Sequence, residues 1–111
     1  MEEISFSDFL KIEQRVGTII SVLEFPEARK PAYKLIIDFG DFGQKHSSAQ
    51  ITHNYRPEEL IGKQVVAVIN FPKKQIANFF SECLVLGFEA EDKTIVLISP
   101  DKPIPNGSKL C

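Results

Sequence analysis

The stretch Pro57-Glu58-Glu59-Leu60-Ile61-Gly62 decides how the rest of the chain assembles. Proline suits a first helical position, because its φ is already helical and the N–H it lacks has no partner there; Glu58 and Glu59 put carboxylates in the electropositive first turn, and Gly62 stops the helix. A very short helix is expected. Upstream, Ser47, Ala49 and Ile51 alternate with His46, Ser48, Gln50 and Thr52, the period-2 pattern of a strand with the first set inward and the second outward. Downstream, Gln64 to Asn70 is apolar on both faces and reads as a central strand. The helix therefore sits between two strands.

Further out, Tyr33, Leu35, Ile37 and Phe39 alternate with Lys34 and Asp38, which predicts a strand whose charged members face water. Gly40 and Gly43 can supply the positive φ angles of the turn that follows. Val16 to Phe25 is the first strand, with Gly17 near its start where it must bend sharply. Cys83 to Phe88 and Thr94 to Ile98 form a closing hairpin around Glu91-Asp92-Lys93. Near the N-terminus, Ser5 and Ser7 can cap a short helix that sets Phe6, Phe9 and Leu10 on an apolar side in need of a partner. The fold class expected is all-β: a single domain over residues 1–111, built as a five-stranded oligonucleotide/oligosaccharide-binding (OB) barrel, with a short helix between strands 3 and 4 and a short N-terminal helix. An SH3-like barrel is the rival, but it gives no reason for a helix at residues 57–62.

Hydrophobic residues make up 43% of the 111 and charged residues 25%, which excludes disordered and fibrous classes. The apolar runs Val65 to Ile69 and Cys83 to Phe88 fall far short of the roughly 18 residues needed to cross a bilayer, so membrane insertion is not expected. Met1-Glu2-Glu3 is acidic where a secretory signal is basic, and a cytoplasmic location follows. Cys83 reads as a buried thiol and Cys111 as an exposed one, with no disulfide framework.

The net charge of −2 hides an uneven distribution: residues 1–42 carry −3, residues 43–80 carry +3 and residues 81–111 carry −2. In the cationic third and just past it, Asn70 to Glu82 combines Lys73 and Lys74 with three amides and the rings of Phe71, Phe79 and Phe80. Lysines neutralise phosphate, and an exposed ring can stack on a base for about 1–3 kcal/mol. The competing reading is that Phe71, Ile76 and Phe79 cap one end of the barrel while the lysines solvate a turn. Arg29, Lys30 and Lys34 form a second cationic region, weakened if Glu27 pairs with Arg29. Lys45 opens the third strand, and Ser48 and Gln50 on its outer face can read base edges or a ribose hydroxyl. An ordinary polar strand face accounts for the same residues. No nucleophile-elbow pattern, Gly-rich phosphate loop or zinc-ligand spacing is present, so neither an enzyme, a metal site nor a cofactor is expected.

Taken in order, Arg15-Val16-Gly17, Glu27-Ala28-Arg29, Lys34-Leu35, Asp38-Phe39-Gly40, Ser47-Ser48-Ala49-Gln50-Ile51-Thr52, Asn70-Phe71-Pro72 and Ser81-Glu82 with Leu84-Val85-Leu86-Gly87 make the chain resemble the CsaA family. These are small proteins of the tRNA-binding-domain superfamily, related to the appended domain of methionyl-tRNA synthetases. The resemblance runs from about Phe9 to Leu110, with departures at Gln14, Lys73-Lys74 and Cys83. It implies an OB fold, a homodimer, tRNA binding, and an export-related chaperone activity toward unfolded or presecretory polypeptides. The residues read above supply the parts: phosphate would be held by Arg29, Lys30, Lys34, Lys45, Lys73 and Lys74. Directional hydrogen bonds would come from Ser48, Gln50, Asn70 and Ser81. Alternatively, Phe71, Ile76 and Phe79 would wall a polypeptide groove, and pairing two copies would bury Phe6, Phe9 and Leu10 as the dimer interface.

Overall fold

The computed structural model describes residues 1–111. The helix read from residues 57–62 forms as α2 (Pro57–Leu60), with Pro57 opening it and the Glu59 carboxylate reaching back to accept the Arg56 N–H at 3.1 Å. Leu60 is fully buried, and Gly62 leaves with φ +88, the left-handed turn that the missing side chain permits. The Gly62 N–H then donates to the Ile19 carbonyl, and the Ile19 N–H donates to the Lys63 carbonyl. The helix thus closes one end of a barrel whose wall is β1 (Gln14–Glu24).

Five strands make that wall: β1, β2 (Tyr33–Asp38), β3 (Gln44–Ala49), β4 (Gln64–Val68) and, further along the chain, β7 (Leu84–Val85), hydrogen-bonded in the order β3-β2-β1-β4-β7 and all antiparallel. β1 is long enough to serve both neighbours. Its first half pairs with β4 and its second with β2, and the register slips between Ile19 and Ser21 where it changes partner. Gly17 lies in that curled half, where a Cβ would stand 2.6 Å from Ile37 Cγ2 and 2.7 Å from the Phe39 ring. The requirement is space, not an unusual φ.

Closure comes from side chains as well as backbone. The Glu82 N–H donates to the His46 carbonyl at 2.8 Å, and the His46 N–H donates to the Glu82 carboxylate at 2.9 Å. Buried Ser47 donates its hydroxyl to the Cys83 carbonyl. The result is a nearly closed barrel around Ile19, Leu35, Ile37, Phe39, Leu60 and Val65. Ser47, Ala49 and Ile51 are buried as the alternation required, and Val65 to Val68 are buried throughout, consistent with a central strand.

Two readings need correction. Residues 73–82 are not a plain connection: β5 (Lys74–Ile76) and β6 (Phe79–Ser81) form a hairpin, turned by Ala77 at φ +53. The closing hairpin is also divided. Leu86 donates its N–H to Val66 and accepts from the Ile98 N–H, so the chain changes partner there; β7 stays with β4, and only β8 (Gly87–Glu89) pairs with β9 (Ile95–Leu97).

The ends of the chain follow the edges of β1. The helix α1 (Phe6–Leu10) is capped by Ser5, whose hydroxyl accepts the Asp8 N–H while Asp8 accepts the Ser5 N–H. The C-terminal segment runs beside the half of β1 that β2 leaves uncovered: Val16 donates to Ser108, Gly107 donates to Val16, and Leu110 donates to Gln14. Asn106 Oδ1 accepts from both Thr18 and Gln64, and Arg15 donates to the Gly107 carbonyl. No helix is long and apolar enough to cross a membrane.

Candidate nucleic-acid interface

Strand register brings four of the sequence-predicted residues into one row. Lys34 on β2 stands opposite Ser48 on β3; the Ser48 N–H donates to the Ser81 hydroxyl on β6 at 3.1 Å; and Ser81 stands opposite Lys74 on β5. The row therefore crosses four strands, two consecutive pairs joined by a contact between residues 33 positions apart. Beside it a groove of about 670 Å³ is lined by Ser48, Gln50, Phe71, Lys74, Ile76 and Ser81, with the apolar side chains of Leu84, Val85 and Leu86 completing it. Polar and apolar predicted residues share this one depression.

Phe79 does not line it. Its ring packs edge-on against Phe25 (centroids 5.4 Å apart) and His46 (5.8 Å), which pins the hairpin to the barrel. The Lys34 ammonium lies 5.1 Å from the Phe25 centroid and 5.9 Å from that of Phe79, so Lys34 is half-buried over two rings with its charge uncompensated by any carboxylate. The same Phe25, with Arg29, Tyr33 and Thr52, lines a second depression of about 540 Å³ at the β1–β2 loop, and exposed Lys30 follows Arg29. Arg29 is thereby joined to the row through Phe25.

Two predicted residues are placed elsewhere. The Asn70 amide is spent internally: Oδ1 accepts the Glu13 N–H and Nδ2 donates to the Lys11 carbonyl, tying the end of β4 to the segment after α1. Lys45 falls in the Ser47 and Ala49 row of β3, on the opposite face from Lys34 and His46. Ser81 keeps its place in the row, but its hydroxyl already accepts from Ser48 and donates to the Cys83 carbonyl.

Charge pairing distinguishes most of the candidates from most of the other cations. Arg29, Lys30, Lys34, Lys45 and Lys74 have no carboxylate oxygen within 4.0 Å, as is also true of Lys63 and Lys102, whereas Lys11, Arg15, Arg56, Lys93 and Lys109 all do. Glu27 does not pair with Arg29. Of the six candidates only Lys73 has a partner, Glu82 at 4.0 Å. Two carboxylates reach this side, Glu24 lining the depression with Arg29 and Glu82 at the hairpin: the His46 backbone N–H, and then the His46 ring 3.0 Å away, hold Glu82 ionised below the usual carboxylate range. Burial pushes the Cys83 thiol up to about 11, so it is a neutral packing group.

Sequence reasoning missed His46, which it left as a surface residue. The pairing with Glu82 joins positions 36 apart, and nothing local signals it. It also named Phe80 among the rings of this segment without giving it a role; Phe80 is 53% exposed.

A model of a putative tRNA-binding domain matches residues 14–109. The chaperone CsaA of Bacillus anthracis is 52% identical and superposes with a TM-score of 0.94, covering 99% of this chain and 100% of that one. CsaA of Picrophilus torridus is 55% identical with a TM-score of 0.91, covering 98% and 100%. The methionine–tRNA ligase of Methanococcus aeolicus is 40% identical over 111 residues, all of this chain but 16% of that protein, so the chain spans about one sixth of the length of such curated relatives. The chain belongs to the tRNA-binding domain family and, within it, to the CsaA proteins.

Proposed function

We propose that this chain is a non-catalytic, cytoplasmic, homodimeric module that binds tRNA across the Lys34–Ser48–Ser81–Lys74 row and the adjoining Arg29–Lys30 loop. The observation that carries it is electrostatic. The cations gathered on this side are unpaired while most of the others are neutralised by neighbours, so phosphate meets charge that no internal carboxylate has consumed. A small negative net charge does not oppose this, because the field close to a site is set by nearby charges within about one Debye length, roughly 8–10 Å. Fluorescence anisotropy with labelled tRNA checks the assignment: Lys34→Ala and Lys74→Ala each weaken binding, and Lys45→Ala, on the opposite strand face, has a smaller effect.

Chaperone binding of unfolded or presecretory polypeptide is a second reading, favoured by the apolar half of the groove: Phe71, Ile76, Leu84, Val85 and Leu86. Suppression of client aggregation that falls with Phe71→Ala but survives Lys74→Ala supports it. Competition between tRNA and an unfolded client for the same molecule follows if both use the groove.

For the homodimer, Phe6 is 72% exposed and Leu10 46%, with the Phe6 and Phe9 rings 6.1 Å apart; pairing two copies of this face removes it from water.

A further inference from the structure

Successive residues of a strand point to opposite sides, and β6 shows the consequence at Phe79 and Phe80. Phe79 turns to the barrel and is held by Phe25 and His46. Phe80 takes the other side, is 53% exposed, and has no aromatic or cationic partner. Its cross-strand neighbour is Gln75, and Lys73 immediately precedes β5, its ammonium 4.0 Å from the Glu82 carboxylate. A bare phenyl face is thus presented beside an amide, on a short arm that also carries Lys73 just before β5 and the unpaired Lys74 on its other face.

We propose that Phe80 is the platform on which an unpaired base of the bound RNA stacks, with Lys73 and Gln75 beside it to receive the same nucleotide's phosphate and base edge; this rests on the RNA-binding reading above. A base has a planar π-face and a charged backbone at a fixed reach, which one ring with a cation alongside can match without sequence preference. An apolar polypeptide segment needs contiguous apolar surface, and the residue facing Phe80 across the hairpin, Gln75, is polar. The groove, not this ring, offers such surface.

The sequence contains no tryptophan, so Phe80→Trp introduces a single reporter on the arm. Binding of tRNA, or of a single-stranded oligonucleotide, quenches that indole and retains affinity within about threefold of wild type, whereas a blunt RNA duplex of equal length leaves it unquenched. Phe80→Leu, which keeps an apolar side chain but no ring, lowers tRNA affinity by about 5- to 100-fold with an unchanged salt slope, because no charge is lost. Wild-type affinity in Phe80→Leu, or tRNA binding without quenching in Phe80→Trp, overturns the proposal. Quenching by an unfolded polypeptide and not by RNA assigns the ring to a polypeptide and overturns it equally. Failure of the wild-type protein to bind any tRNA overturns the RNA reading itself, and this inference with it.

Discussion

Lys74 stands free beside the groove, whereas the neighbouring Lys73 shares its charge with Glu82 at 4.0 Å. Replacing each by alanine in turn separates the two environments: Lys74→Ala lowers tRNA affinity more, and reduces the salt slope by about one unit, while Lys73→Ala reduces it by less. Glu82→Gln releases Lys73 and strengthens binding at neutral pH. The same carboxylate links stability to pH. Its value in the folded state lies below the usual carboxylate range, so its stabilising contribution is complete above that range and is lost as pH falls through the lowered value. Acid unfolding of Glu82→Gln, followed by circular dichroism, therefore has a shallower pH dependence than that of the wild type. Gly17→Ala forces a methyl against Ile37 and Phe39 and costs about 1–3 kcal/mol in urea unfolding.

Among the elements, the β5–β6 hairpin is held in a strained turn. Ala77 is left-handed at φ +53, a conformation that costs an L-residue roughly 1–2 kcal/mol and glycine little. Ala77→Gly is expected to stabilise the arm, by about 1 kcal/mol or less once the entropy of the unfolded glycine is counted, and to increase amide protection of the arm in hydrogen exchange. The turn explains why the hairpin was not legible: with no glycine or Asn-Gly pair at the turn, its residues look like any polar connection. The strands were legible where one face is buried and the other is not, as at Tyr33 to Asp38, or where both are buried, as at Val65 to Val68. The split at Leu86 was not, because a change of hydrogen-bonding partner leaves the apolar run Cys83 to Phe88 unaltered in sequence. Asn70 misled for a related reason. A surface amide after a strand reads as available, and only the approach of Glu13, 57 positions away, shows that it is occupied. The C-terminal strap left no sequence signal either; Asn106→Ala removes the acceptor shared by Thr18 and Gln64 and lowers hydrogen-exchange protection at Gly107 and Leu110 more than in β2.

At the scale of the whole molecule, charge pairing and barrel closure arise from the same contacts. Glu13 binds Arg15 and Lys109 and fastens the C-terminal segment, and Glu82 fastens β3 to the chain after β6; their carboxylates are consumed by construction of the fold, and the Lys34–Lys74 row is left cationic. Replacing Phe6 and Leu10 together by aspartate leaves this barrel intact and shifts sedimentation to a single-chain mass if α1 is the subunit interface. The measurement that bears most directly on the account is the affinity for tRNA as a function of salt. If Arg29, Lys30, Lys34, Lys73 and Lys74 face phosphate together, log K falls with log salt at a slope of about −4, and the slope flattens by about one unit when Lys74 is removed. Affinity that does not change with salt, or a slope indifferent to Lys34 and Lys74, contradicts it.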